Sequence, residues 1–209
     1  MKKTITKLFL VGLLGLSGLN ASELLFDLRA QDYANVLKDD VISSKYKISD
    51  KIIFETNLQK SSSGVYYYIN DTNKVGFSNL EIKSKLNNWT FNSNIIYQSY
   101  DWNKGHSIDK KRLIKFIDKD GNVLILEFYR NGFNINGKEF KGEIDGEQLA
   151  LTVSKQGQKV SFNMNGYNIY DIDNIKFKEL HFINTDIWNT KLYDKSYDRL
   201  QELKLYSND

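Results

Sequence analysis

Apolar and polar positions alternate every second residue along most of the chain, a period that predicts strands and not helices. "KIIFETNL" (51–58), "VYYYI" (65–69) and "FSNLEIKSKL" (77–86) read as strands. "WTFNSNIIYQSY" (89–100) follows, with Phe91 and Ile95 on one face and Ile96 on the other. "RLIKFID" (112–118) and "NVLILEFYR" (122–130) flank Lys119-Asp120-Gly121, a hairpin signal. Residues 123–126, "VLIL", are apolar on both faces, which predicts a central strand covered on both sides.

Further turns are predicted at Asn131-Gly132, Asn136-Gly137, Gln156-Gly157 and Asn165-Gly166. Between them lie "GFNINGKEF" (132–140), "QLALTVSK" (148–155) and "QKVSFNMN" (158–165). Leu149, Leu151 and Val153 share a face in the second of these; Val160, Phe162 and Met164 do in the third. In "NIKFKELHFIN" (174–184) the alternation breaks near Lys178, which predicts a bulge. "RLQELKLYS" (199–207) is the last strand, and only "RAQDYANVLKDDV" (29–41) suits a short helix. About a dozen short strands with glycine punctuation mean an all-β sandwich or barrel.

Residues 1–21 break this pattern. "MKKTITK" is cationic, "LFLVGLLGLSGL" is apolar but too short for an ordinary membrane span, and Ala21 follows. This predicts a signal peptide at 1–21, with residues 22–209 forming one domain. Lys2, Lys3 and Lys7 of that segment belong to the 29 basic residues, and none of the 26 acidic ones falls there. The rest of the chain therefore carries 26 of each, which argues against a nucleic-acid or anionic-membrane partner held by bulk charge. There is no cysteine, so disulfides and thiol chemistry are excluded. A strong bias toward Lys over Arg and toward Asn is that of an AT-rich bacterial genome. With the leader, it predicts a bacterial periplasmic, cell-surface or secreted protein.

From about Phe91 onward the chain resembles the concanavalin A-like lectin/glucanase superfamily, laminin-G-like modules included. "NVLILEFYRNGFNING", "LALTVSKQGQKVSFNMNGYNI", "IKFKELHFI" and "YDRLQELKLYSND" carry the resemblance by pattern and order. It implies two antiparallel sheets in a jelly-roll sandwich, one of them concave. Fold alone says little about activity here.

Three groups of residues could carry chemistry. Glu143, Asp145 and Glu147 in "EIDGE" resemble the active-site strand of laminarinase- and lichenase-type glucanases, with Glu143 as nucleophile, Asp145 as helper and Glu147 as acid/base. Against this, Asp145-Gly146 is a turn signal. A strand running on to Val153 would also put the carboxylates on the core face. A break at Asp145-Gly146 is expected instead. Trp102, Asn103 and His106, and Trp188, Asn189 and Tyr193, offer aromatic platforms beside polar groups, as sugar sites do. Asp118, Asp120 and Asn122 in "DKDGN" resemble the start of a calcium loop, but no bidentate Glu follows, and a plain hairpin turn is expected. His106 and His181 are too few for a His-rich zinc site, and His181 reads as a surface or edge residue.

The expected function is an exported, non-catalytic β-sandwich that binds carbohydrate or a cell-envelope partner. No cofactor is expected, with calcium bound elsewhere, as the lectin resemblance implies for some members, kept as the alternative. A glycoside hydrolase or polysaccharide lyase acting on the concave face is the first alternative. A structural envelope module that docks another protein is the second.

Overall fold

The structure, a computed structural model, describes residues 22–29, 44–60, 67–68, 75–96, 100–101, 106–107, 112–129, 131–142, 144, 148–188 and 199–209. The leader and most of the expected helix lie outside them. Among the described residues there is no helix. The strands are β1 (Glu23–Arg29), β2 (Ser44–Lys47), β3 (Ile52–Thr56), β4 (Gln59–Lys60), β5 (Tyr67–Tyr68) and β6 (Val75–Ile82). Then come β7 (Trp89–Ile96), β8 (Tyr100–Asp101), β9 (His106–Ser107), β10 (Arg112–Asp118), β11 (Val123–Tyr129) and β12 (Gly132–Ile135). The last six are β13 (Lys138–Lys141), β14 (Gln148–Gln156), β15 (Lys159–Met164), β16 (Tyr167–Ile172), β17 (Leu180–Trp188) and β18 (Arg199–Ser207).

Two large antiparallel sheets form a sandwich. The first runs β16-β15-β14-β7-β18-β5-β4, with β1 also paired to β18. The second runs β13-β12-β11-β10-β17-β6-β3-β2. The alternation seen in the sequence sends one face of each strand inward. Phe91, Ile95, Leu151, Val153, Phe162 and Leu205 from the first sheet meet Ile114, Phe116, Leu124, Leu126, Leu80 and Ile183 from the second in one core. Trp89 stacks on Phe116 at 5.1 Å, and Phe91 meets the same ring edge-on at 5.2 Å. Each fully buried side chain of this size contributes about 1.5–3 kcal/mol.

Turn chemistry holds the register. Asn136-Gly137 and Asn165-Gly166 all have positive φ (50°, 92°, 51° and 84°), the conformation of a two-residue hairpin turn. The β14–β15 turn falls at Gly157-Gln158, one residue later than its sequence signal. β1, β2, β4, β9 and β16 lie outside the strands that the sequence pattern predicts.

Three further details differ from expectation. The bulge lies at His181 and not near Lys178: Ile117 faces Phe182 while Asp118 faces Leu180. The extra residue lets Leu180 and Ile183, three apart, both point into the core. His181 is thus a half-buried bulge residue in an inner strand, its Nδ1 3.2 Å from the Ile82 carbonyl, and not an edge residue. The "VLIL" strand is covered on one side only: Leu124 and Leu126 are buried, but Val123 is 40% exposed and Ile125 half-buried.

Candidate functional site

The sandwich has two ends, and strand directions sort the connections between them. β7 ends at Ile96 where β14 begins at Gln148 and β18 at Arg199. In the other sheet β10 begins, and β17 ends, at this same end. The connections carrying Trp102, Asn103, Asn189 and Tyr193 therefore leave from and return to one end of the sandwich, although these residues lie outside the described ones. Trp188 closes β17 opposite Val75, and His106 pairs with Asp101 in the β8–β9 ladder.

Glu143, Asp145 and Glu147 lie outside the described residues too. Their flanks are informative. Lys141 ends the edge strand of the second sheet, and Gln148 opens a strand of the first. The chain changes sheets between them, Ile144 is buried, and no described strand runs from 143 to 153.

At the opposite end, Asp118, Asp120 and Asn122 form a structural clip. The Asp118 carboxylate accepts four hydrogen bonds. Oδ1 takes the backbone N–H of Asp120 (2.9 Å) and Asn122 (2.8 Å). Oδ2 takes Asn122 Nδ2 and the backbone N–H of Lys178, both at 2.8 Å. Burial works to raise the Asp118 pKa, but these bonds outweigh it and hold the carboxyl below its ordinary range. Asp120 pairs with Lys178 at 2.5 Å. The carboxylate oxygens of Asp118 and Asp120 that suggested a calcium loop thus face N–H donors and an ammonium. Among the described residues no group of three or more His, Cys, Asp or Glu is placed to hold a metal ion.

The outward face of the first sheet was not singled out in the sequence. Its register builds a polar grid. One row reads Asp171, Ser161, Ser154, Thr90, Tyr206. The next reads Asn168, Asn163, Thr152, Asn92, Lys204, Asp27. A third reads Ala150, Asn94, Glu202, Arg29. Asn is disfavoured in strands, yet Asn92, Asn94 and Asn163 occupy inner strands here. At the margins the polar groups are engaged. Gln148 Nε2 donates to Asn94 Oδ1 (3.0 Å) and Gln201 Oε1 (2.9 Å). Asn208 Nδ2 donates to Thr90 Oγ1 at 2.9 Å. Lys204 pairs with Glu202 at 2.7 Å, and Arg29 with Asp27 at 2.8 Å. Asn92 Oδ1 is sealed from solvent without a hydrogen-bond partner. A buried acceptor left so costs about 1–3 kcal/mol.

The two-sheet order, the inner core and the sheet-to-sheet crossing can be set beside known structures. The metal-free VIP36 exoplasmic/lumenal domain aligns with a TM-score of 0.54 at 9% identity, over 87% of this chain and 91% of that one. The fold is the concanavalin A-like jelly roll. The metal-free Emp46p carbohydrate recognition domain shares this jelly roll, with a TM-score of 0.54, 9% identity and coverage of 87% and 95%. An alginate lyase from Corynebacterium sp. aligns at 0.50 and 10% identity, covering 72% and 81%. The sequence matches no family model and no curated protein.

Proposed function

We propose that the protein is an exported β-sandwich that binds carbohydrate and performs no chemistry on it. The observation that carries this reading is the polar grid on the first sheet, whose outward rows set Ser154 beside Thr90 and Thr152 beside Asn163. Hydroxyl and amide side chains, each able to donate or accept, suit a ligand that is itself a lattice of hydroxyls. The solved relatives add support: a structure of the VIP36 domain is described as bound to Ca2+ and Man2. The three carboxylates on the grid, Asp27, Glu202 and Asp171, each pair with a cation, which favours binding over acid–base catalysis. The leader pattern of residues 1–21 supports export to the periplasm, cell surface or medium.

A glycan array on the full chain tests the proposal, followed by an Asn92→Leu/Thr152→Val double variant on any hit. Loss of binding with the fold intact is expected. Trp102→Ala and Trp188→Ala separate the loop end from the grid. Binding that survives the grid variant and fails in the tryptophan variants assigns the site to the loops.

One observation favours a protein partner as a second reading. Val123, Ile117 and Phe182 are register neighbours on the outer face of the second sheet, and Val123 is 40% exposed. An envelope pull-down that fails with Phe182→Lys would support it.

A further inference from the structure

A groove of about 750 Å³ opens at the end of the sandwich that carries the Asp118 clip. Its walls are the 119–122 and 157–158 turns, residues 87–88 and the 175–179 connection. Lys155 lines it, in phase with Leu149, Leu151 and Val153 and therefore pointing inward from β14. It is 3% exposed, and Nζ donates to the Asn87 carbonyl at 2.7 Å. An ammonium carries three donors, and the other two have no partner among the described residues. Burial pushes the Lys155 pKa down, while the charges of Asp209 and Asp118 pull it back up.

The carboxylates around this ammonium are engaged elsewhere. Asp118 accepts its four hydrogen bonds. Asp209 accepts from Asn87 N (2.8 Å), Asn88 N (2.9 Å) and Asn88 Nδ2 (3.0 Å). Asp120 pairs with Lys178, and Glu179 with Lys119 at 2.6 Å. The groups left unengaged are the two Lys155 donors, Asn122 Oδ1 and the side-chain amides of Asn87 and Gln158. Phe177 and Ile175 supply an apolar base. Donors and acceptors are therefore both on offer over an apolar floor, and the two lining carboxylates, Asp120 and Glu179, are each neutralised by a lysine.

We propose that this groove is a saccharide site separate from the polar grid, for a neutral sugar residue that presents adjacent hydroxyls. One hydroxyl oxygen accepts from Lys155. Its neighbours exchange hydrogen bonds with the amides of Asn87, Asn122 and Gln158, and the C–H face of the ring rests on Phe177 and Ile175. The site uses none of the grid residues, so its failure leaves the grid reading untouched.

The test is an amide NMR titration of the protein with glucose, galactose, mannose, N-acetylglucosamine and glucuronate. At least one neutral sugar is expected to shift Asn122, Gly157, Gln158 and Lys178 but not Asn92 or Thr152, with little response to added salt. Lys155→Met keeps the apolar stem, removes the donors and is expected to weaken these shifts at least tenfold. Gln158→Trp, in an exposed turn, blocks the groove from outside the core and gives the same result if Lys155→Met fails to fold. The proposal is overturned if no neutral sugar moves these amides, if the shifts survive both variants, or if only glucuronate acts and salt abolishes it.

Discussion

Asp118 and Lys178, sixty positions apart in sequence, are joined by a 2.8 Å hydrogen bond from the Lys178 backbone N–H to Asp118 Oδ2. It ties the β10–β11 turn to the connection that leads into β17. Asp118→Asn keeps one acceptor oxygen but turns an amide donor toward groups that already donate. A loss of about 2–4 kcal/mol is expected in urea unfolding. The folded-state carboxyl lies below its ordinary value, so its contribution is present above the ordinary carboxylate range and fades as pH falls through the lowered pKa. The variant should flatten that acid-side slope.

Gly132 has φ +146°, and a Cβ there would sit 2.0 Å from the Phe140 carbonyl oxygen. Backbone, not a flexible side chain, stands in the way. Gly132→Ala is expected to cost about 2–4 kcal/mol, read as a lower melting temperature. Gly121→Ala, with φ +83° but open space around it, should cost clearly less.

Asp171 is held down to about 2, first by Lys159, then by Ser161 and Asn168. A carboxyl titration by NMR should place its midpoint near that value, and Lys159→Ala should raise it toward the ordinary aspartate range. The stabilisation linked to this group is lost as pH falls from about 4 toward 2. A midpoint unchanged by Lys159→Ala would show that the ion pair does not form in solution.

Asn92 pits stability against binding. Asn92→Leu removes a buried acceptor without a partner. The variant is expected to be at least as stable as the parent, by up to about 1–2 kcal/mol, while losing any glycan affinity that resides on the grid. Thermal unfolding and the array measure the two sides separately.

Much of the sandwich is legible because a buried face imposes period two and a two-residue hairpin needs positive φ. Asn136-Gly137 and Asn165-Gly166 announce their turns for that reason. The bulges are harder to place. A core pair three apart betrays a bulge, as at Leu180 and Ile183 or Leu200 and Leu203. β16 hides because its bulge at Ile169 spoils the alternation in an edge strand. The grid could not be read at all. The sequence places Asn92 and Thr152 on outward faces, but only the fold makes β7 the neighbour of both β14 and β18. Lys155 did leave a signal, a charged residue in phase with Leu149, Leu151 and Val153.

That same placement of β7 governs how the chain reaches its native state. Thr90 faces Ser154 on one side and Tyr206 on the other, so the centre of the first sheet joins segments dozens to more than a hundred residues apart. Little of this pairing can form while the chain is incomplete. Folding should run on the millisecond-to-second scale typical of non-local β topologies. Until Leu203 and Leu205 arrive, the Phe91 strand has a bare edge, and the unfinished chain is most exposed to wrong partners there.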